Sequence, residues 1–334
     1  MRPKFKIIAD KADITDLLNG RLLSLTITDE IGFVSDALTI ELDDRDEALE
    51  VPPRGAEMEA FLGYEELFSM GKFVVDEVEI KSPPATITIT ARASNSAFRD
   101  MGAFKSPRSY SWEGYTLLGI VRTIARRYGL TESVSDDYRK ILVSHLDQAD
   151  ESDCAFIQRL ATDHGASVKV AGGRLLFIEP LSGKFPDGAP MPAIPIKPAE
   201  ISGYQMRLAE RGKYEKVVAK YYDFDWAEEL QVSVGAGSPV FTIKDTFTSK
   251  ARAMARARQK LDEISSGTRT LTLDLIGNPL LSAESVVELS SARPEVAGRW
   301  IAKSAKHTLN AAGYKTSLET TKPKGETNDK QKAK

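Results

Sequence analysis

The chain has 334 residues, 42% of them hydrophobic and 28% charged, a length that supports two or three domains with real cores. Its formal net charge of −3 speaks against a basic surface built to grip phosphate backbones, and its single cysteine excludes an internal disulfide and a cysteine-rich zinc module. A free thiol fits assembly in a reducing cytoplasm, no stretch approaches the roughly 20 apolar residues that span a bilayer, and charge at Asp10 and Lys11 interrupts the N-terminal segment before any signal-peptide core.

The first hundred residues predict antiparallel strands. In "RLLSLTITD", Leu23, Leu25 and Ile27 alternate with Ser24, Thr26 and Thr28; in "ALTIELDD", Leu38, Ile40 and Leu42 do the same. "EMEAFLG", "GKFVVDEVEI" and "ATITITARA" extend the set. Period-two alternation buries one face, and five or six such strands predict a closed barrel or sandwich. Pro83-Pro84 cannot continue a ladder and marks a turn. The segment Asp43 to Arg54 is long for a hairpin loop.

Near residue 112 the period changes. Leu117, Ile120, Val121, Ile124 and Tyr128 stand at helical spacing, with Gly129 as a stop. A second helix carries the stripe Phe156, Ile157, Leu160 and Ala161, with Ser152 or Asp153 as N-cap and Gly165 at its end. "SVKV", the turn Gly172-Gly173 and "RLLFIEP" predict a hairpin. Residues 180–203, rich in Pro and Gly, read as a connector.

A second β-rich region follows, with "KVVAKYYD", "LQVSVG", "TLTLDLIG", "SVVELSS", "GRWIAKSAKHTL" and "YKTSLET", and one helix near 249–264. The polar end, "KPKGETNDKQKAK", is expected to be disordered. An internal echo joins the two β-rich regions. Gly71-Lys72-Phe73-Val74 returns as Gly298-Arg299-Trp300-Ile301, and "GAEMEAFLG" and "SAESVVELS" precede these signatures at the same offset of 227 residues. It suggests one β-module used twice, with an α/β segment between the copies.

The polar block around Cys154 looks reactive. Asp150, Glu151 and Asp153 crowd a helix start, where the helix dipole favours acids by about 0.3–1 kcal/mol each. Asp153 and His164 lie about 16 Å apart along such a helix, too far for an acid–base pair. Cys154 beside Ala155-Phe156 reads as a small packed residue. His145, His164 and His307 sit in separate segments without metal-ligand spacing, and no phosphate-binding glycine loop or nucleophile elbow occurs. No catalytic residue, cofactor or metal site is expected. Arg252, Arg256 and Lys260 form a basic helical stripe, which more often faces solvent or a neighbouring subunit than nucleic acid. "EGYTLLGIVRTIARRYGL" resembles the peptidoglycan-binding LysM pattern, but its helix is about one turn longer and no closing half follows.

The ordered combination carries a larger likeness. "HLDQADESDCAFIQRLATDHGASVKVAGGRLLF" has a Gln, then Glu-Ser-Asp, then Phe-aliphatic-x-Arg-Leu-Ala, a Gly and a Gly-basic-Leu-Leu-Phe hairpin. With "GKFVVDEVEI", "SWEGYTLLGIVRTIARRYGL", "YEKVVAKYYD" and "HTLNAAGYKTSLE", the chain over about residues 5–320 resembles the late control protein D family. These are the baseplate hub proteins of contractile-tailed phages and phage-derived bacteriocins. One departure is "NPLLSAESVVELS", where the family pattern has a Gly near Ser282.

The resemblance implies a mixed β and α/β fold, in which two tail-tube-like β-barrels flank a smaller α/β domain. The implied division is residues 1–100 for the first barrel, 101–200 for the middle domain with its connector, 201–321 for the second barrel and 322–334 for a disordered tail. It implies a non-enzymatic hub: a homotrimer whose six barrels form a pseudo-sixfold ring, joining a hexameric tail tube to a trimeric central spike and serving as conduit. The implied partners are the spike, tube, tape measure and other baseplate proteins, with no membrane insertion and no specific nucleic-acid binding. The implied location is the virion baseplate or a tail-like particle, assembled in the host cytoplasm. The competing reading is a peptidoglycan-binding or peptidoglycan-cleaving tail-tip protein.

Overall fold

The computed structural model describes residues 2–323 apart from 33–35, 94–103, 172, 209–213, 225, 268 and 292. The tail expected to be disordered lies, from residue 324 on, outside the described residues. The protein is mostly β-sheet. The first stretch holds β1 (Lys4–Ala9), β2 (Ala12–Asp13), α1 (Thr15–Asn19), β3 (Leu22–Glu30), β4 (Ala37–Asp43), β5 (Glu57–Gly63), β6 (Leu67–Lys81) and β7 (Thr86–Ala93). The middle holds β8 (Pro107–Thr116), α2 (Leu117–Arg127), β9 (Thr131–Val134), α3 (Asp136–Arg139), β10 (Leu142–Ser152), α4 (Asp153–His164), β11 (Ser167–Ala171) and β12 (Arg174–Ile178). The last part holds β13 (Ile194–Ile196), β14 (Ile201–Leu208), β15 (Lys216–Asp223), β16 (Glu228–Gly235), β17 (Val240–Phe247), α5 (Lys250–Gly267), β18 (Arg269–Ile276), β19 (Val286–Leu289), β20 (Gly298–Asn310) and β21 (Gly313–Thr321).

Alternation sets the sheet faces. Leu25 and Ile27 on β3, and Leu38, Ile40 and Leu42 on β4, are buried in one core with Phe73, Val75, Ile87 and Ile89. Leu23 is the exception. It is the extra residue of a bulge between Leu22 and Ser24, which reverses the phase of the alternation and leaves its side chain exposed. In the second half Leu271, Leu273 and Leu275 on β18 pack with Trp300, Ala302 and Leu318. In the middle, α2 and α4 press Ile120, Ile124, Phe156 and Leu160 against Leu175 and Phe177 of the small sheet β11-β12-β9. Thr116 and Ser152 cap these helices by accepting from the Gly119 and Ala155 amides, and left-handed Gly165 ends α4.

A closed barrel or sandwich was expected from the first hundred residues, and two tail-tube-like barrels from the resemblance. Instead, the β-rich halves join in one 13-stranded sheet, ordered β14-β18-β21-β20-β3-β4-β7-β6-β5-β1-β2, with β19 and β13 added along β20. Among the described residues neither half closes into a hydrogen-bonded ring. "KVVAKYYD" and "LQVSVG", expected in the second β-rich region, are strands but do not join its large sheet. As β15 and β16 they pair with each other and with β17 in a separate sheet, whose core is covered by Ala253 and Ala257 of α5. Alternation specifies one buried face, and a helix serves as cover as well as a second sheet layer does. The connector also contributes β13, parallel to β19.

Candidate functional site: the seam between the two sheet halves

The 227-residue echo is a structural duplication. Strand order β3-β4-β7-β6-β5-β1 in the first half returns as β14-β18-β21-β20-β19-β13 in the second. Pairing against the neighbouring hairpin strand skips Asp76 between Val75 and Glu77, and skips Lys303 between Ala302 and Ser304. These bulge residues are themselves 227 apart. A bulge inserts one unpaired residue and bends its strand, so its recurrence marks the same local geometry twice. A second pair of bulges agrees: β3 against β4 skips Leu23, and β14 against β18 skips Ser202.

The copies differ by small, face-preserving changes. Gly71 faces Ala60, whereas Gly298 faces Leu289, a register shift of two residues that leaves every side chain on its original face. The same shift accounts for the absent glycine near Ser282. Val75 bonds with Gly55 and Ala56, and Ala302 bonds in the same way with Glu284 and Ser285. Gly55 and Glu284 both take left-handed backbone, at φ 87° and 66°. Glu284 therefore occupies the turn position that glycine holds in the first copy. One topological departure remains: β1 is antiparallel to β5, while β13 is parallel to β19.

The halves meet along β20. Its first residues pair with β19, and from Ser304 to Asn310 it pairs antiparallel with β3, from Glu30 to Ser24. Leu309 and Tyr314 of the second half thereby enter the core of the first. The α/β unit braces the same seam. Lys169 Nζ on β11 donates to Asp29 Oδ1 (2.6 Å), the Glu30 carbonyl (3.1 Å) and Asp36 Oδ1 (3.3 Å). Asp29 Oδ2 accepts from the Ala283 amide at 2.9 Å, so this carboxylate touches all three parts of the molecule. Burial, and then the charge of Asp29, push the Asp36 carboxyl up to about 6. Burial opposes the Lys169 charge, but Asp29 and Asp36 outweigh it and raise its pKa.

The polar block around Cys154 is a second, internal network. Trp112 Nε1 donates to Gln148 Oε1 (3.3 Å), and Gln148 Nε2 donates to Asp153 Oδ1 (2.9 Å). Tyr128 and Arg127, at the end of α2, donate to the same fully buried carboxylate at 2.7 and 3.0 Å. Burial raises the cost of that charge, yet the hydrogen bonds from Gln148, Tyr128 and Arg127 hold its pKa below the usual carboxylate range. Glu151 takes two bonds from Arg159, at 2.6 and 3.1 Å. The two candidates for the N-cap thus divide the work: Ser152 caps, while Asp153 binds α2 and β10 to α4. Spacing alone did not reveal this, because Arg127 and Tyr128 lie some 25 residues away in sequence.

The other singled-out residues stay apart. Cys154 is half-buried, and burial pushes its thiol pKa up, the opposite of an activated nucleophile. His145 is exposed beside Asp147. Burial, and then the charge of Arg252, lower the pKa of His164. His307 is buried between Tyr314 and the Leu281 carbonyl, and burial lowers its pKa. No group of metal-binding side chains and no helix fit to cross a membrane occurs among the described residues. Arg256 and Lys260 of the basic stripe both meet Glu263 on their own helix. The apolar positions of the LysM-like stretch, Leu117, Ile120, Val121 and Ile124, are buried in the middle core. Within the Asp43–Arg54 segment, Asp46 holds Arg21 in a two-pronged pair at 2.6 Å.

Comparison with known proteins agrees with this architecture. Residues 88–313 match the family described as phage tail baseplate hub (GPD). The chain is 33% identical to the "Probable baseplate hub protein" of Escherichia phage 186, over 96% of this chain and 92% of that one, and 31% identical to its counterpart in Escherichia phage P2, over 96% and 93%. Among solved structures, the fold is similar to the 43 kDa tail protein of prophage MuSo2 from Shewanella oneidensis. That similarity has a TM-score of 0.72 and 15% identity and covers 96% of this chain and 98% of that one.

Proposed function

The chain belongs to the phage tail baseplate hub family, a structural family of the virion tail, and on that premise we propose that it works as a symmetry adaptor. In this reading three copies form a ring, and the two sheet halves of each copy serve as two tube-like barrel modules flanking the α/β unit; the domain limits expected from the sequence are kept except that β13 joins the second module and the β15-β16-β17 sheet with α5 stands beside it. Six similar modules present a pseudo-sixfold face to a hexameric tail tube. The true threefold symmetry of the same ring receives a trimeric spike on the other face. The chain serves as a conduit and has no catalytic centre of its own.

The observation that carries this reading is the repeated pair of bulges at Asp76 and Lys303, inside halves of matching strand order. A trimer needs such a duplication to meet a hexamer with equivalent contacts. The mildly acidic balance suits a lumen through which DNA passes without sticking. Of Thr86, Thr88 and Thr90, the threonines expected off the core face of β7, Thr86 is buried, while Thr88 and Thr90 suit a wet wall or a subunit contact. The Asp43–Arg54 segment is assigned to contact with the adjoining ring. The tape measure and other baseplate proteins are the remaining partners, and assembly takes place in the host cytoplasm. The test is native mass measurement of the purified protein, alone and with its neighbouring spike protein. A mass of three chains in either sample is expected. Monomers or dimers in both would overturn the ring.

A further inference from the structure

The seam inside one chain is a template for a contact between chains. In the second half, β20 loses β19 as partner near Ala302, and β3 takes over from Ser304. In the first half, β6 loses β5 near Val75, yet from Glu77 to Lys81 its outer edge has no partner among the described residues. The strand equivalent to β3 is β14, which among the described residues pairs only with β18 and ends the large sheet. The duplication therefore leaves two half-seams open, one on each module.

The uncovered positions are apolar where their counterparts are buried. Ile80 is 62% exposed, and its counterpart His307 is 1% exposed. Tyr204 is 46% exposed, and its counterpart Leu25 is fully buried. Leu208 is 59% exposed at the end of β14. Ile80 stands opposite buried Ile87, and Met206 opposite buried Leu271, so both lie on the core faces of their halves. Long exposed edges of this kind invite pairing with another chain.

We infer that β6 from Val78 to Lys81 pairs antiparallel with β14 of a second copy of this chain; this rests on the ring reading and names its subunit contact. The bulges fix the register. Carrying the β20·β3 pairs across by 227 residues for β6 and by 179 for β14, the spacing of Leu23 and Ser202, sets Val78 opposite Leu208, Glu79 opposite Arg207 and Ile80 opposite Met206 of the neighbouring copy. This register yields two apolar pairs and one pair of opposite charge, although charge had no part in deriving it. Among the described residues of one chain Glu79 forms an ion pair with Lys81, 2.8 Å away, and exchanges it for Arg207 of the neighbouring copy. The internal seam has Lys306 opposite Thr28 at the corresponding place, so the charge pair belongs to the contact between chains. Such a heterologous contact, repeated head to tail, closes into a ring of three when each step turns by a third of a circle, as the ring reading requires.

The test uses the full chain in a Cys154→Ala background. Ile80→Cys with Met206→Cys is expected to give disulfide-linked dimers and trimers under mild oxidation, because directly opposed Cβ atoms lie about 4.5–5.5 Å apart. Ile80→Cys with Ser202→Cys, four residues out of register, is expected to give none. Independently, Glu79→Arg is expected to weaken self-association by up to about 5-fold per contact, and Arg207→Glu in the same chain to restore it. Native mass on the same samples separates the two readings. Trimers without in-register crosslinks would overturn this contact and leave the ring standing. Monomers throughout, with and without the spike protein, would overturn both.

Discussion

Lys169 Nζ lies 2.6 Å from Asp29 Oδ1, joining the α/β unit to the strand on which the two sheet halves meet. The side chains of both residues are largely shielded from solvent, and Asp36 lies within reach of the same ammonium. Removing the lysine leaves two neighbouring carboxylates without their counter-charge. Lys169→Met is expected to cost about 2–3 kcal/mol, below the range for fully buried pairs because some solvent reaches this one. Urea denaturation of the purified chain checks it. Adding Asp36→Asn should recover part of the loss by removing the repulsion.

Asp36 gives the same junction a pH signature. Its folded pKa is raised from 3.8 to about 6, so the folded state binds its proton more tightly than the unfolded chain does. The stability this provides is fully present below about pH 4 and is lost as pH rises through about 6. Asp36→Asn keeps a neutral side chain throughout. Its melting temperature relative to the parent protein should therefore rise between pH 4 and 7, by the equivalent of up to about 3 kcal/mol. A difference that stays flat across that window would contradict the placement of Asp36.

Asp153 and Leu160 test the internal network and the core beside it. Asp153→Ala strands Arg127, Tyr128 and Gln148 around an empty position and should cost about 3–5 kcal/mol. Because its carboxyl pKa is lowered on folding, the stability contributed by Asp153 is present above about pH 4 and is lost as pH falls through the folded value. Leu160→Ala, at a fully buried position, should cost about 2–5 kcal/mol. Glu151→Ala breaks only a partly exposed pair with Arg159 and should cost about 1 kcal/mol or less. Thermal or urea unfolding orders the three.

Gly55 and Glu284 test the duplication by backbone conformation alone. A methyl group at Gly55 would meet nothing within 4 Å, so Gly55→Ala changes only the cost of φ 87°. A loss of about 1 kcal/mol is expected. If the variant is as stable as its parent, Gly55 is not a required left-handed position.

The Asp43–Arg54 segment is tested by assembly. Replacing Glu47–Val51 with a Gly-Ser linker keeps the Arg21–Asp46 pair and should leave the fold intact by circular dichroism. Complementation of a hub-deficient phage should then yield fewer complete tails. Normal tail numbers would remove this segment from the contact with the adjoining ring.

Local chemistry was legible from the residues. Helical spacing at Leu117, Ile120 and Ile124, a serine cap at residue 152 and a left-handed glycine at 165 each act within a few residues, and the sequence contains those neighbours. So does the echo of Gly71-Lys72-Phe73-Val74 in Gly298-Arg299-Trp300-Ile301, because two copies of one geometry need similar residues at similar places. The family likeness followed from the order of such local patterns.

Tertiary structure alone decided which edges meet. Alternation names a buried face but not the strand beside it, so the β20·β3 seam, the two-residue register shift and the separate sheet of β15, β16 and β17 had no local signature. The bulge at Leu23 turned out a side chain that simple alternation had placed inside. Asp153 lies beside a helix start in sequence, and only packing brought Arg127, Tyr128 and Gln148 around it. Patterns set by φ, ψ and side-chain period are encoded over a few residues. Pairing between distant segments depends on the twist and stacking of the whole sheet, which no short stretch contains.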